Sequence, residues 1–102
     1  MNSPVDYYSV FGPVLSVMKY HGDDHALEIA NGSPFGLHGA VWSADKNRAI
    51  GFARRKQTGS VDINGASHNS AAPFGGYKQS GIGIEMGREG LEEFLEIKSI
   101  QI

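Results

Sequence analysis

Strand-like and helix-like runs alternate along this chain, and that alternation limits its fold more than any other feature. Residues 14–20 (VLSVMKY), 39–43 (GAVWS) and 60–64 (SVDIN) are short, apolar and partly β-branched, as strands are. Between the first two lies 23–31 (DDHALEIAN). There Asp23 and Asp24 suit a helix start, Ala26, Leu27 and Ala30 fall at helical spacing, and Gly32 with Pro34 forms a stop. Between the second and third lies 44–57 (ADKNRAIGFARRKQ). It carries an apolar stripe of Ala49, Ile50, Phe52 and Ala53, with Ser43 placed to cap it and Arg54, Arg55 and Lys56 in its last turns. Helices inserted between strands require parallel pairing with right-handed crossovers.

A polar, glycine-rich stretch follows to about Gly83. Leu91, Phe94 and Leu95 then mark a helix within 85–95, and the chain closes on 96–102 (EIKSIQI), which reads as a strand. The expected architecture is α/β, a small three-layer-type unit of order β-α-β-α-β-loop-α-β on a parallel sheet. Ile97, Ile100 and Ile102 make the last strand an apolar edge, and such an edge pairs or associates. A homo-oligomer formed through 96–102 is therefore expected.

Composition removes several classes of function. A formal net charge of −2 argues against a nucleic-acid partner, which needs clustered Lys and Arg; Arg54-Arg55-Lys56 is too short to reverse this. With 0 cysteines there is no disulfide, zinc-thiolate site or thiol nucleophile within these 102 residues. No apolar run approaches the roughly 18 residues of a membrane span. Residues 1–9 lack the basic start and apolar core of a signal peptide, so a cytoplasmic location is expected.

Candidate chemistry is sparse. Gly81-Ile82-Gly83 resembles the start of a dinucleotide turn, but the third glycine, Gly87, falls one residue late and no apolar strand precedes it. These glycines read first as turn and close-packing residues. His21 and His25 flank two carboxylates in HGDDH, a metal-like set that reads more simply as an exposed helix start. Glu85, Glu89, Glu92, Glu93 and Glu96 read as a solvated helix face. Ser80 lacks a nucleophile elbow, and His38 and His68 have no nucleophile beside them in sequence. No catalytic set and no metal site is assigned.

Taken in order, FGPVLSV, ANGSPFGLHGAVWS, INGA and APFGGYKQSGIGIEMGREGLEEFLEIKSI resemble the carboxyl-terminal part of the aldehyde dehydrogenase superfamily. The resemblance divides the chain into an atypical segment, 1–10, and a family-like catalytic and oligomerisation region, 11–102. It implies NAD(P)-dependent oxidation of aldehydes to acids. In the family, the cysteine nucleophile, the glutamate general base and the NAD or NADP domain all lie upstream of the matched region. No cofactor is therefore expected to bind these residues alone.

The resemblance also assigns individual residues. Phe11 matches a phenylalanine against the nicotinamide end of the cofactor. Ser9 stands where the family usually has a ribose-binding glutamate, and a hydroxyl cannot supply two carboxylate oxygens. Phe74 and His68 match positions that face the substrate pocket, where relatives often have phenylalanine in place of His68. Ile84 replaces a common arginine. The closing strand matches an element that reaches a neighbouring subunit. Three readings follow: a self-associating, non-catalytic unit; a piece completing an enzyme whose cysteine and cofactor domain lie on a longer dehydrogenase chain; or a small-ligand-binding module around Phe11 and Phe74.

Overall fold

The structure is a computed structural model, and it describes residues 12–102. Helix α1 spans Gly22–Asn31 and α2 spans Lys46–Arg55. Strand β2 (His38–Val41) enters α2, and α2 returns the chain to β3 (Ser60–Ile63), which pairs with β2 in parallel. This β-α-β unit was legible in the alternating sequence pattern.

The single parallel sheet is not what forms. The described residues hold two sheets of two strands each. The second is antiparallel and joins β1 (Phe35–Gly36) to β4 (Tyr77–Lys78). Neither strand shows β periodicity, because each is two residues long and is held by turns on either side. Residues 14–20 and 96–102 form no regular element and belong to no ladder. An apolar run becomes a strand only where a neighbouring edge accepts its N–H and C=O groups, and neither run meets one among the described residues.

Local chemistry explains the helix ends. Asp45, rather than Ser43, caps α2: its carboxylate accepts from the Arg48 N–H at 3.1 Å. Ser43 sits two residues earlier, and its hydroxyl accepts from the Asp45 N–H at 3.2 Å. Asp23 and Asp24 do more than favour the α1 dipole. Arg48 grips Asp23 through two bonds, at 2.8 and 2.6 Å, and Arg55 reaches Asp24 at 3.0 Å. These pairs latch α1 onto α2. His21 lies just outside α1, and its backbone N–H donates to His25 Nδ1 at 2.9 Å. Helix α3, Gly87–Glu92, is shorter than the expected 85–95.

The core is small. Leu27 of α1 and Ala49 of α2 are the buried hydrophobic side chains among the described residues. Val14, Leu15, Val17, Trp42, Phe94 and Ile97 are all exposed. The Cα radius of gyration of the described residues is 17.0 Å, against about 13 Å for a compact domain of this length.

Candidate functional site

In a parallel β-α-β unit, ligands gather where the strands end at their carboxyl side. Here that edge is built by Val41 at the end of β2, Trp42 and Ser43 beyond it, and Asn64 after β3. Asn64 has φ 52°, a conformation that asparagine tolerates better than most residues. Its side chain then clamps Ser43 from both sides. Oδ1 accepts from the Ser43 N–H at 2.9 Å, and Nδ2 donates to the Ser43 carbonyl at 3.0 Å. Its backbone N–H adds a bond to the Val41 carbonyl at 2.9 Å. The two strand ends are thereby fixed together.

From this clamp the chain runs into the loop bearing His68, which is exposed. The loop turns back at Phe74, which is half-buried and exchanges two backbone bonds of 2.7 Å with Glu85. Among the described residues no hydrogen bond joins His68 to Phe74. Phe11 lies outside the described residues.

The glycine-rich stretch after Phe74 is an interlock. Gly36 and Tyr77 pair across the β1–β4 ladder, and the Gly36 N–H donates to Ser80 Oγ at 2.8 Å. The Gln79 N–H reaches the Pro34 carbonyl at 2.9 Å. Lys78 donates to the carbonyls of Asn31 and Ser33, both at 2.9 Å, and so ties β4 to the end of α1. Gly59 completes the lock: a Cβ there would fall inside the Gly75 carbonyl. The PFGL and PFGGYKQS motifs are thus two halves of one backbone contact.

This geometry does not suit a dinucleotide phosphate cradle. Gly81-Ile82-Gly83 follows a turn rather than a strand, and Ile82 is fully exposed. The helix beyond it has six residues, and the residue at its N-cap, Met86, has φ 60° and makes no side-chain cap bond.

One polar cluster was invisible in the linear sequence. His38 pairs in register with Ser60 on the neighbouring strand, and Asp62 shares that face two residues on. His38 Nε2 lies 3.1 Å from Asp62 Oδ2, and Nδ1 lies 2.7 Å from Ser60 Oγ. An Nε2–H donated to the carboxylate leaves Nδ1 as acceptor for the serine hydroxyl. That orientation is the reverse of the hydrolase triad, in which Nε2 faces serine. The cluster acts as a cross-strand lock on the β2–β3 register.

A recess of about 330 Å³ lies between α1, α2 and β2, closed on one side by Met18 and Tyr20. Ile29, Phe52 and Trp42 give it apolar walls, and Lys56 reaches it from the end of α2. Neither His68 nor Phe74 lines it. Burial, with the Lys78 charge nearby, holds the Lys56 ammonium below its usual range. On the rim, the hydrogen bond from Arg48 pulls the Asp23 carboxyl down.

Comparison with known proteins decides the lineage. The model of the Aldehyde dehydrogenase family matches residues 2–100, a span that begins ahead of Phe11. The chain belongs to the aldehyde dehydrogenase family. It is 50% identical over 93 residues to geranial dehydrogenase of Castellaniella defragrans, covering 91% of this chain and 20% of that protein. It is 52% identical over 91 residues to 3-succinoylsemialdehyde-pyridine dehydrogenase of a Pseudomonas species, covering 89% and 19%. The crystal structure of Mycobacterium tuberculosis aldehyde dehydrogenase complexed with NAD+ superposes with a TM-score of 0.84 at 42% identity, covering 89% of this chain and 19% of that chain. The chain thus spans about a fifth of the length of the curated relatives it matches. No helix among the described residues is long and apolar enough to cross a membrane.

Proposed function

We propose that these residues form a pocket-wall and association unit of an aldehyde dehydrogenase, non-catalytic alone and self-associating through their apolar surface. The family reaction is NAD(P)-dependent oxidation of aldehydes to acids. Within this unit Phe74 and His68 face the substrate, Phe11 approaches the nicotinamide, and 96–102 carries the contact to a second copy. The observation behind the association reading is the exposure of Val14, Leu15, Val17, Trp42, Phe94 and Ile97. Apolar surface on this scale is stabilised by about 25 cal/mol per Å² when covered.

The test is light scattering on the eluting protein at micromolar concentration. A dimer or larger is expected, and a clean monomer refutes the association reading. Homogeneous chain supplied with NAD and an aldehyde should form no NADH, since covalent capture needs an activated nucleophile such as the family's cysteine. NADH formation would overturn the non-catalytic reading.

A second reading is supported by the coverage of about a fifth of each relative. In it, the same surface packs on a longer dehydrogenase chain that brings the cysteine and the cofactor domain. Co-purification with such a chain favours this reading, and exclusive self-association counts against it.

A further inference from the structure

We propose that Asn64-Gly65 is a self-modification site, a hydrolytic switch at the carboxyl ends of β2 and β3. When the clamp on Ser43 opens, the Gly65 nitrogen expels ammonia from the Asn64 side chain. The acid left behind then keeps the clamp from closing again. The site involves neither His68, Phe74 nor residues 96–102, so it does not rest on the proposed function.

The fold imposes this labile pair. Asparagine is a thermolabile residue, and a following glycine leaves the attacking nitrogen unshielded. Residue 64 lies at φ 52°, which asparagine tolerates, and its amide both accepts from the Ser43 N–H and donates to the Ser43 carbonyl. A carboxylate only accepts, so aspartate cannot make both bonds. Residue 65 lies at φ 72°, and a Cβ there would come within 2.8 Å of the Trp42 ring. The turn therefore selects asparagine followed by glycine for its own geometry.

A second pair, Asn31-Gly32, provides an internal comparison. Its side chain is clamped as well: Nδ2 donates to the Arg55 carbonyl at 3.0 Å, and Oδ1 accepts from the Gln57 N–H at 2.8 Å. There the nucleophile is also tied down. Asn31 ends α1, the Gly32 N–H donates to the Ile29 carbonyl at 3.2 Å, and Lys78 holds the Asn31 carbonyl at 2.9 Å. The Gly65 N–H makes no hydrogen bond among the described residues, and Asn64 and Gly65 are both exposed to the water that completes the reaction. Exposed bonds such as the Ser43 clamp open locally at low cost.

The reaction balances with water alone. The Gly65 nitrogen attacks the Asn64 Cγ, an N–C bond forms, and the amide nitrogen leaves as ammonia with the Gly65 proton. Water then opens the cyclic imide. Cleavage at Cγ gives aspartate, and cleavage at the backbone carbonyl gives isoaspartate. Either product bars reclosure. Aspartate sets an acceptor oxygen against the Ser43 carbonyl, where Nδ2 had donated at 3.0 Å. Isoaspartate adds a carbon to the main chain and removes the amide.

The experiment incubates the 102-residue chain at mildly alkaline pH, in buffer and in guanidinium chloride, and follows both pairs by peptide mass spectrometry that separates aspartate from isoaspartate. In buffer Asn64 should react several-fold faster than Asn31, and in denaturant the two rates should converge. Equal rates in buffer, a faster Asn31, or no reaction in buffer overturns the proposal, and none of these readings needs a variant. G65A in denaturant should slow the loss of the Asn64 amide several-fold; an unchanged rate overturns Gly65 as the nucleophile. Aged protein should unfold at lower urea in proportion to its content of acid at residue 64, as should N64D. Midpoints that do not move overturn the switch.

Discussion

Gly59→Ala tests the central packing claim, that the two Pro-Phe-Gly motifs meet backbone to backbone. A Cβ at residue 59 would overlap the Gly75 carbonyl and lie 2.7 Å from the Gly75 carbonyl carbon. Both are main-chain atoms, so no side chain can swing aside. Overpacking costs about 1–3 kcal/mol when neighbours can shift, and a backbone obstacle places this case near 3. A chain of 102 residues has on the order of 5 kcal/mol of stability at the low end for its size. With a urea slope of about 1–3 kcal/mol/M, the midpoint should fall by roughly 1–3 M. Gly51→Ala is the matched control. Gly51 lies inside α2 with open space where its Cβ would go. Alanine there should stabilise by up to about 1 kcal/mol, through propensity and a less free unfolded chain. Urea denaturation followed by circular dichroism reads both variants. Equal midpoints for G59A and the parent, or a larger loss in G51A than in G59A, would refute the interlock.

Removing the α2 cap with Asp45→Ala should cost about 1 kcal/mol, since the Arg48 N–H loses its acceptor; Asp45→Asn should recover most of it, both read by the same denaturation. Lys56 gives a pH signature with a definite sign. Its folded-state pKa lies below the ordinary 10.5, so the unfolded chain binds more protons between the two values. Stability should therefore rise as pH climbs through that window towards 10.5, and thermal melts of Lys56→Met should lack the rise. Asp23 has a dependence of the same sign in the acid range: its carboxyl is depressed by Arg48, so whatever the latch contributes is present above the ordinary 3.8 and is lost as pH falls through the depressed value. Arg48→Met should flatten that acid limb.

The β-α-β order was legible because period and punctuation are local: Gly59 after α2 and the β-branched run 60–63 need no distant information. The same local signals put α1 in the right place. What failed was whatever depended on an absent or distant partner. Residues 14–20 have strand composition, yet an edge must accept their backbone bonds, and none does among the described residues. The α2 cap was misplaced by two positions because serine and aspartate both cap well, and only the position of the Arg48 N–H chooses between them. His38, Ser60 and Asp62 could not be joined without the parallel register, although the i, i+2 spacing of Ser60 and Asp62 was a usable hint once β3 was placed.

The motifs that mark the family carry less chemistry than their specificity suggests. Phe35 opposes Lys78 and Gly36 opposes Tyr77, so PFGL and PFGGYKQS are partners in one short antiparallel contact, closed by Gly59 against Gly75 and by Ser80 beneath the Gly36 N–H. Glycine at residues 36, 59 and 75 is demanded by main-chain approach, and Ser80 and Lys78 by the bonds they make to main chain. A sequence signature of this kind reports how the backbone folds on itself, and Phe74 inherits its position from that fold. The lock and the placement of Phe74 are therefore a single structural requirement. A variant such as G59A should move the 68–74 loop along with the stability, whereas a substitution of Phe74 itself should leave the lock intact.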